Sequence, residues 1–313
     1  MIPPEPQSED ELVRHRTNRP FPDAKWGPLD VIVGATVTML VVISILSFGG
    51  VVGTYAGFET SVAAPAGYLV GALSAALAIL LIRITRSPLW PVVLALGFGI
   101  GVVSASYLIA NDAGDGIAEL AGIPVAIIAA TAMSGSFAVI GLALSAVRYR
   151  QPLSALGFVK TDGFRPYLFG LGMWLVGLAA LIGWAQVVIW LDFDLLLPPD
   201  TANDVLSQAG GSIVLTILLV AVAGPVAEEI FFRGFVLNGL LKRFGVGRAL
   251  LLSSLLFGLF HIDPGAIVPT FALGIVLGWV YLKTGSIWPA MFVHALHNTV
   301  AVLIVRYGGE TGA

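Results

Sequence analysis

Apolar runs of about 18 residues or more recur along most of this chain, the length a helix needs to cross the hydrocarbon core of a bilayer. This excludes most folds at once. No water in a bilayer core can take up a free backbone N–H or C=O, and a helix satisfies both within one segment. Charged residues make up 11% of the 313 residues and apolar ones 57%. Soluble domains carry about 25% charged residues. The fold class read from the sequence is therefore all-α, a polytopic transmembrane helical bundle.

The runs fall near residues 29–52, 64–84, 89–110, 117–147, 167–190, 212–241, 248–261, 267–282 and 287–305. That gives about nine spans, with roughly eight to ten compatible with the pattern. Basic residues collect on the cytoplasmic side of membrane proteins. Placing the N-terminus in the cytoplasm puts Arg14, Arg16, Arg19, Lys25, Arg83, Arg86, Arg148, Arg150, Lys160, Arg165, Lys242, Arg243, Arg248 and Lys283 there, with Arg233 within a span and Arg306 alone on the opposite side. The opposite loops carry Glu59, Asp112, Asp115, Glu119, Asp192, Asp194, Asp200 and Asp204. The expected organisation is a disordered cytoplasmic tail (1–28), a four-helix membrane region (29–147), a cytoplasmic connection (148–166), a catalytic membrane core (167–307) and a short tail (308–313). The chain has no cysteine, which removes disulfides, thiolate catalysis, iron–sulfur clusters and lipidation on Cys. No basic block points to nucleic acid.

The first four spans hold almost no side chains able to do chemistry. After residue 166 the pattern changes. Glu228, Glu229 and Arg233 lie inside an apolar run, His261 ends the seventh, and His294, His297 and Asn298 lie in the ninth. An ionisable group at membrane depth costs roughly 2.5–3.5 kcal/mol on insertion scales, so it marks a functional site by default. Counted along each helix from the nearest cytoplasmic basic residue, Glu228 lies roughly 21 Å deep, His261 roughly 20 Å and His294 roughly 16 Å. These depths place them in one layer. His294 and Asn298 are i, i+4 and share a face, with His297 beside it as a bystander. Glu229 and Arg233 are also i, i+4 in the favourable order, which assigns them to a structural ion pair and leaves Glu228 as the candidate base; contact of Arg233 with Glu228 or with a substrate carboxylate is the alternative. Gly224-Pro225 is expected to break or kink the helix just before the glutamates, either opening room for a substrate strand or serving packing.

Three motifs, Glu228-Glu229-Ile-Phe-Phe-Arg233, Phe257-Gly-Leu-Phe-His261 and His294-Ala-Leu-His-Asn298, follow one another on successive spans. Together they resemble the CPBP family (CAAX prenyl protease and bacteriocin-processing, also called Abi) over residues 154–305. The resemblance implies an intramembrane endopeptidase. It assigns Glu228 and His261 to activating water, and His294 and Asn298 to stabilising the oxyanion. Glu229 and Arg233 support the site. Peptide hydrolysis needs this set: a base for water and donors for the tetrahedral oxyanion. Zinc held by Glu228, His261 and His294 is an alternative to a metal-free water, although no His-Glu-x-x-His is present. The expected partners are a peptide or membrane-protein substrate and the lipid bilayer, in a bacterial or archaeal plasma membrane. Two rival readings are a proton-coupled transporter and a non-catalytic immunity or scaffold protein of the same fold. The halves of the chain show no matching interrupted segments, against the inverted repeats of a transporter.

Overall fold

The computed structural model describes residues 24–48, 125–197 and 213–308. The expected spans at 64–84 and 89–110, and the N-terminal tail up to residue 23, lie outside them. The described residues are helical, with no β-strand among them. The helices are α1 (Pro28–Phe48), α2 (Val125–Leu142), α3 (Arg165–Trp190), α4 (Ile213–Thr216), α5 (Gly224–Glu229), α6 (Asn238–Leu259), α7 (Pro264–Thr284) and α8 (Ile287–Gly308). Three wider, π-helical stretches adjoin them: Ala143–Val147, Ile217–Ala223 and Ile230–Leu237. Arg165–Trp190, Pro264–Thr284 and Ile287–Tyr307 are each long and apolar enough to cross a membrane. On α3, Leu168, Leu175, Val176, Ile182, Val187 and Ile189 are all exposed. An apolar helix with so many exposed apolar side chains has the composition of a membrane span.

The chain forms two compact units. One comprises residues up to Val31, Tyr149–Pro199 and Phe232–His294; the other comprises Ile32–Arg148, Asp200–Phe231 and the residues from Ala295 onward.

In the first unit α7 packs against both α6 and α3. Gly245 (φ 70°) breaks α6 into two helical pieces, at the boundary expected between the runs 212–241 and 248–261. The α6–α7 contact is set by small residues, as in other membrane helix pairs. A Cβ on Gly258 would sit 2.8 Å from the Ile267 carbonyl oxygen, and one on Gly274 would sit 3.0 Å from Ser254 Cα. Behind α6, the buried Asn238 amide reaches the carbonyls of Gly234 (2.9 Å) and Ala155 (3.1 Å) and the Tyr281 hydroxyl (2.6 Å). It thereby fastens the 3₁₀ turn Leu153–Leu156 to α6 and α7. The Trp26 indole is stacked on Phe235 and donates to its carbonyl (2.8 Å), and Ser253 Oγ donates to the Phe232 carbonyl (2.9 Å). Two carbonyls of the π-helical stretch Ile230–Leu237 thus receive side-chain donors.

In the second unit α5 and the stretch Ile217–Ala223 pack on α2, and Phe231 meets Phe137 edge to face at 5.3 Å.

The Gly258 contact is against backbone, which cannot swing away. Gly258→Ala is expected to lower the thermal midpoint in detergent, at a cost of about 1–3 kcal/mol. Gly172→Ala, where nothing lies within 4 Å of the new methyl, leaves the midpoint unchanged or raises it, because alanine is the better helix former. Equal midpoints for the two variants would contradict this account of the α6–α7 contact.

Candidate functional site

Pro225 shapes the glutamate-bearing segment. Proline has no N–H and its ring crowds the carbonyl four residues back. The helix remains unbroken here. Gly224 keeps helical dihedrals, and its N–H bonds to the Leu219 carbonyl five residues back, so the turn widens where a kink was expected. The widening has a price at Val220. Its carbonyl would take a bond from residue 224 in α geometry, but that N–H is committed to Leu219. In π geometry it would take one from residue 225, which is proline. Asn298 fills the gap, its Nδ2 donating to the Val220 carbonyl at 2.8 Å. A side-chain amide carries two hydrogens, so one N–H of Asn298 is left for other chemistry. Beyond the proline, Glu229 is fully buried while the adjacent Glu228 is partly exposed. His297 and Asn298 are both partly exposed on α8.

In the first unit the fully buried ring of Phe257 organises the other predicted residues. The Arg233 guanidinium lies over it, 4.6 Å from the centroid. His261 and His294 meet it edge-on, at 5.0 Å and 5.6 Å between centroids. Phe232 adds a further edge contact at 5.0 Å. Arg233 is buried and donates from Nη2 to the Gly274 carbonyl at 3.2 Å; the close approach at Gly274 puts that carbonyl within reach. His294 is buried, whereas His261 is exposed. His261 Nδ1 lies 2.9 Å from the Phe257 carbonyl. A carbonyl only accepts, so Nδ1 carries the proton and Nε2 is the nitrogen left for chemistry.

The link from α6 to α7 is tightly bonded. The amide N–H of His261 bonds to Gly258 and that of Ile262 to Leu259, and Asp263 closes back onto the His261 carbonyl at 2.6 Å. This last bond is a γ-turn with Ile262 at its centre, at φ 64°. The Asp263 side chain caps α7, accepting from Gly265 (2.8 Å) and Ala266 (3.3 Å), and Pro264 occupies the first turn, where no N–H is needed. A left-handed backbone costs an L-residue roughly 1–2 kcal/mol, and for a β-branched residue it is an outlier. An isoleucine gains only about 0.3–0.6 kcal/mol at the centre of a bilayer.

Among the described residues no three His, Asp or Glu side chains are grouped as a metal site requires. Of the expected donor set, His261 and His294 belong to the first unit and Glu228 to the second. Sequence reasoning missed Phe257 as a platform, the second duty of Asn298, and Ile262. The position of Phe257, one turn before His261 in the quoted motif, was the available signal for the first.

Residues 210–300 match the family model described as Type II CAAX prenyl endopeptidase Rce1-like. The matched segment contains Glu228, Glu229, Arg233, His261, His294 and Asn298. The "Putative membrane peptidase YdiL" of Bacillus subtilis (strain 168) is 31% identical over 93 residues, which cover 30% of this chain and 38% of that protein. The chain thus spans well under half the length of that curated relative. No solved structure matches.

The Val220 assignment is testable by a double-mutant cycle. Asn298→Ala leaves a carbonyl unsatisfied and is expected to cost about 1–3 kcal/mol of stability. In a Pro225→Ala background residue 225 regains an N–H, and the same change costs clearly less. Identical losses of thermal midpoint in the two backgrounds would show that proline does not create the need for Asn298.

Proposed function

We propose that this protein, whose residues 210–300 form a Rce1-like segment, is a membrane endopeptidase that hydrolyses a peptide bond of a peptide or membrane-protein substrate. The observation that carries the reading is the state of His261. It is exposed, and its Nδ1–H is tied to the Phe257 carbonyl, which fixes the tautomer a general base or a water-orienting group needs. A packing histidine has no need of an exposed ring with one nitrogen so committed.

Glu228 and His261 activate the attacking water. The partly exposed carboxylate of Glu228 takes the proton as oxygen attacks the carbonyl carbon, and it returns the proton to the leaving amine. His294 and the remaining N–H of Asn298 donate to the oxyanion that forms. Glu229 and Arg233 support this arrangement from buried positions, Arg233 through Gly274 and Phe257. The site works inside a multi-pass bundle of about nine spans, N-terminus in the cytoplasm, in a bacterial or archaeal plasma membrane.

The purified protein in proteoliposomes, given a quenched-fluorescent library of membrane-inserted peptides, is expected to cleave a subset of them. Glu228→Gln and His261→Gln are each expected to lower kcat by about 10²–10⁴-fold, and His294→Ala by about 10²–10³-fold. Cleavage that survives removal of the Glu228 carboxylate at the wild-type rate would rule out the mechanism.

A further inference from the structure

Ile262 follows His261 directly, in the left-handed region at the centre of the γ-turn. Glycine or asparagine takes that backbone with little or no strain. An isoleucine persists in it only where the surroundings enforce it, and the bonds from residues 261–263 and the Asp263 cap do so. The strain is therefore held in place, and the remaining question is what the side chain does. It is not core packing, because Ile262 is 47% exposed. Lipid contact alone does not account for it either, since the gain of an isoleucine in a bilayer is smaller than the cost of its backbone. Leu259, on the other side of His261 in the chain, is likewise exposed at 43%. His261 is thus flanked in the chain by two uncovered apolar side chains.

We infer that Ile262 is a specificity-determining residue, whose side chain makes apolar contact with a substrate residue beside the bond that is cleaved. The inference rests on the endopeptidase reading above and names what that reading leaves open, the chemistry of the residue the site accepts. The left-handed turn sets the direction of the Ile262 side chain relative to His261. A branched apolar group there rewards an apolar substrate residue, and it leaves a polar one desolvated without a partner. A pocket contact of this size is worth about tenfold or more in discrimination.

The test uses the full chain in proteoliposomes and two peptides that the wild type is given at matched concentrations. One carries leucine at the positions flanking the cleaved bond and the other carries serine. The wild type is expected to prefer the leucine peptide. Ile262→Gly raises KM for that peptide by about tenfold, leaves kcat unchanged, and leaves the thermal midpoint unchanged or higher because strain is relieved. Ile262→Val retains the preference. A midpoint several degrees lower in Ile262→Gly would mean that the side chain serves the fold or the lipid contact, and the inference fails. It also fails if the glycine variant still discriminates between the peptides, or if both peptides lose equally. A wild type that cleaves neither these peptides nor the library overturns the endopeptidase reading and this inference together. A wild type that cleaves while the glycine variant discriminates as well overturns this inference alone.

Discussion

A backbone carbonyl that loses its helical partner must find another donor or stay unsatisfied at a cost, and Pro225 creates such a loss just before the two glutamates. Much of the surrounding architecture answers it. The helix widens so that Gly224 bonds to Leu219, and the Val220 carbonyl that this leaves over is taken by Asn298. The next wide stretch, Ile230–Leu237, is supported in a similar way, with Ser253 donating to Phe232 and Trp26 to Phe235. Wide turns of this kind are rare and concentrate at functional sites. Here they bracket Gly224–Glu229, and the polar side chains that serve as their donors come from distant parts of the sequence.

Phe257 shows how an apolar residue can organise polar ones. A ring face attracts a cation and a ring edge suits a neighbouring aromatic edge-on. Arg233 takes the face, and His261, His294 and Phe232 meet the ring edge to face. The same residue supplies the carbonyl that fixes the His261 tautomer. His261 and His294 are therefore both referred to one rigid, fully buried group.

The helical class was legible because long apolar runs admit little else, and the break in α6 was legible from the run ending near 241 and restarting at 248, with Gly245 between them. The chain's chemically unusual residues were also legible, since Glu228, Glu229, Arg233 and His261 are conspicuous against an apolar background. What each touches was not. Pro225 announces a disturbance, but the donor that serves the freed Val220 carbonyl comes from residue 298, which no local pattern encodes. Phe257 looks like any other aromatic in an apolar run, and the left-handed backbone at Ile262 runs against the preference of its own side chain. Such conflicts between local preference and final structure are expected where function rather than stability set the residue.

The interleaving of the two units bears on how the protein is made. Each unit is assembled from three separate stretches of chain, and the last stretch of the first ends at His294 while that of the second begins at Ala295. Neither unit is whole until α8 has left the ribosome. A nascent chain that stops short of α8 holds the Val220 carbonyl without Asn298 and Phe257 without His294. Until then the glutamate-bearing helix holds at least one backbone carbonyl without its donor, which exposes this stage of synthesis to membrane-protein quality control.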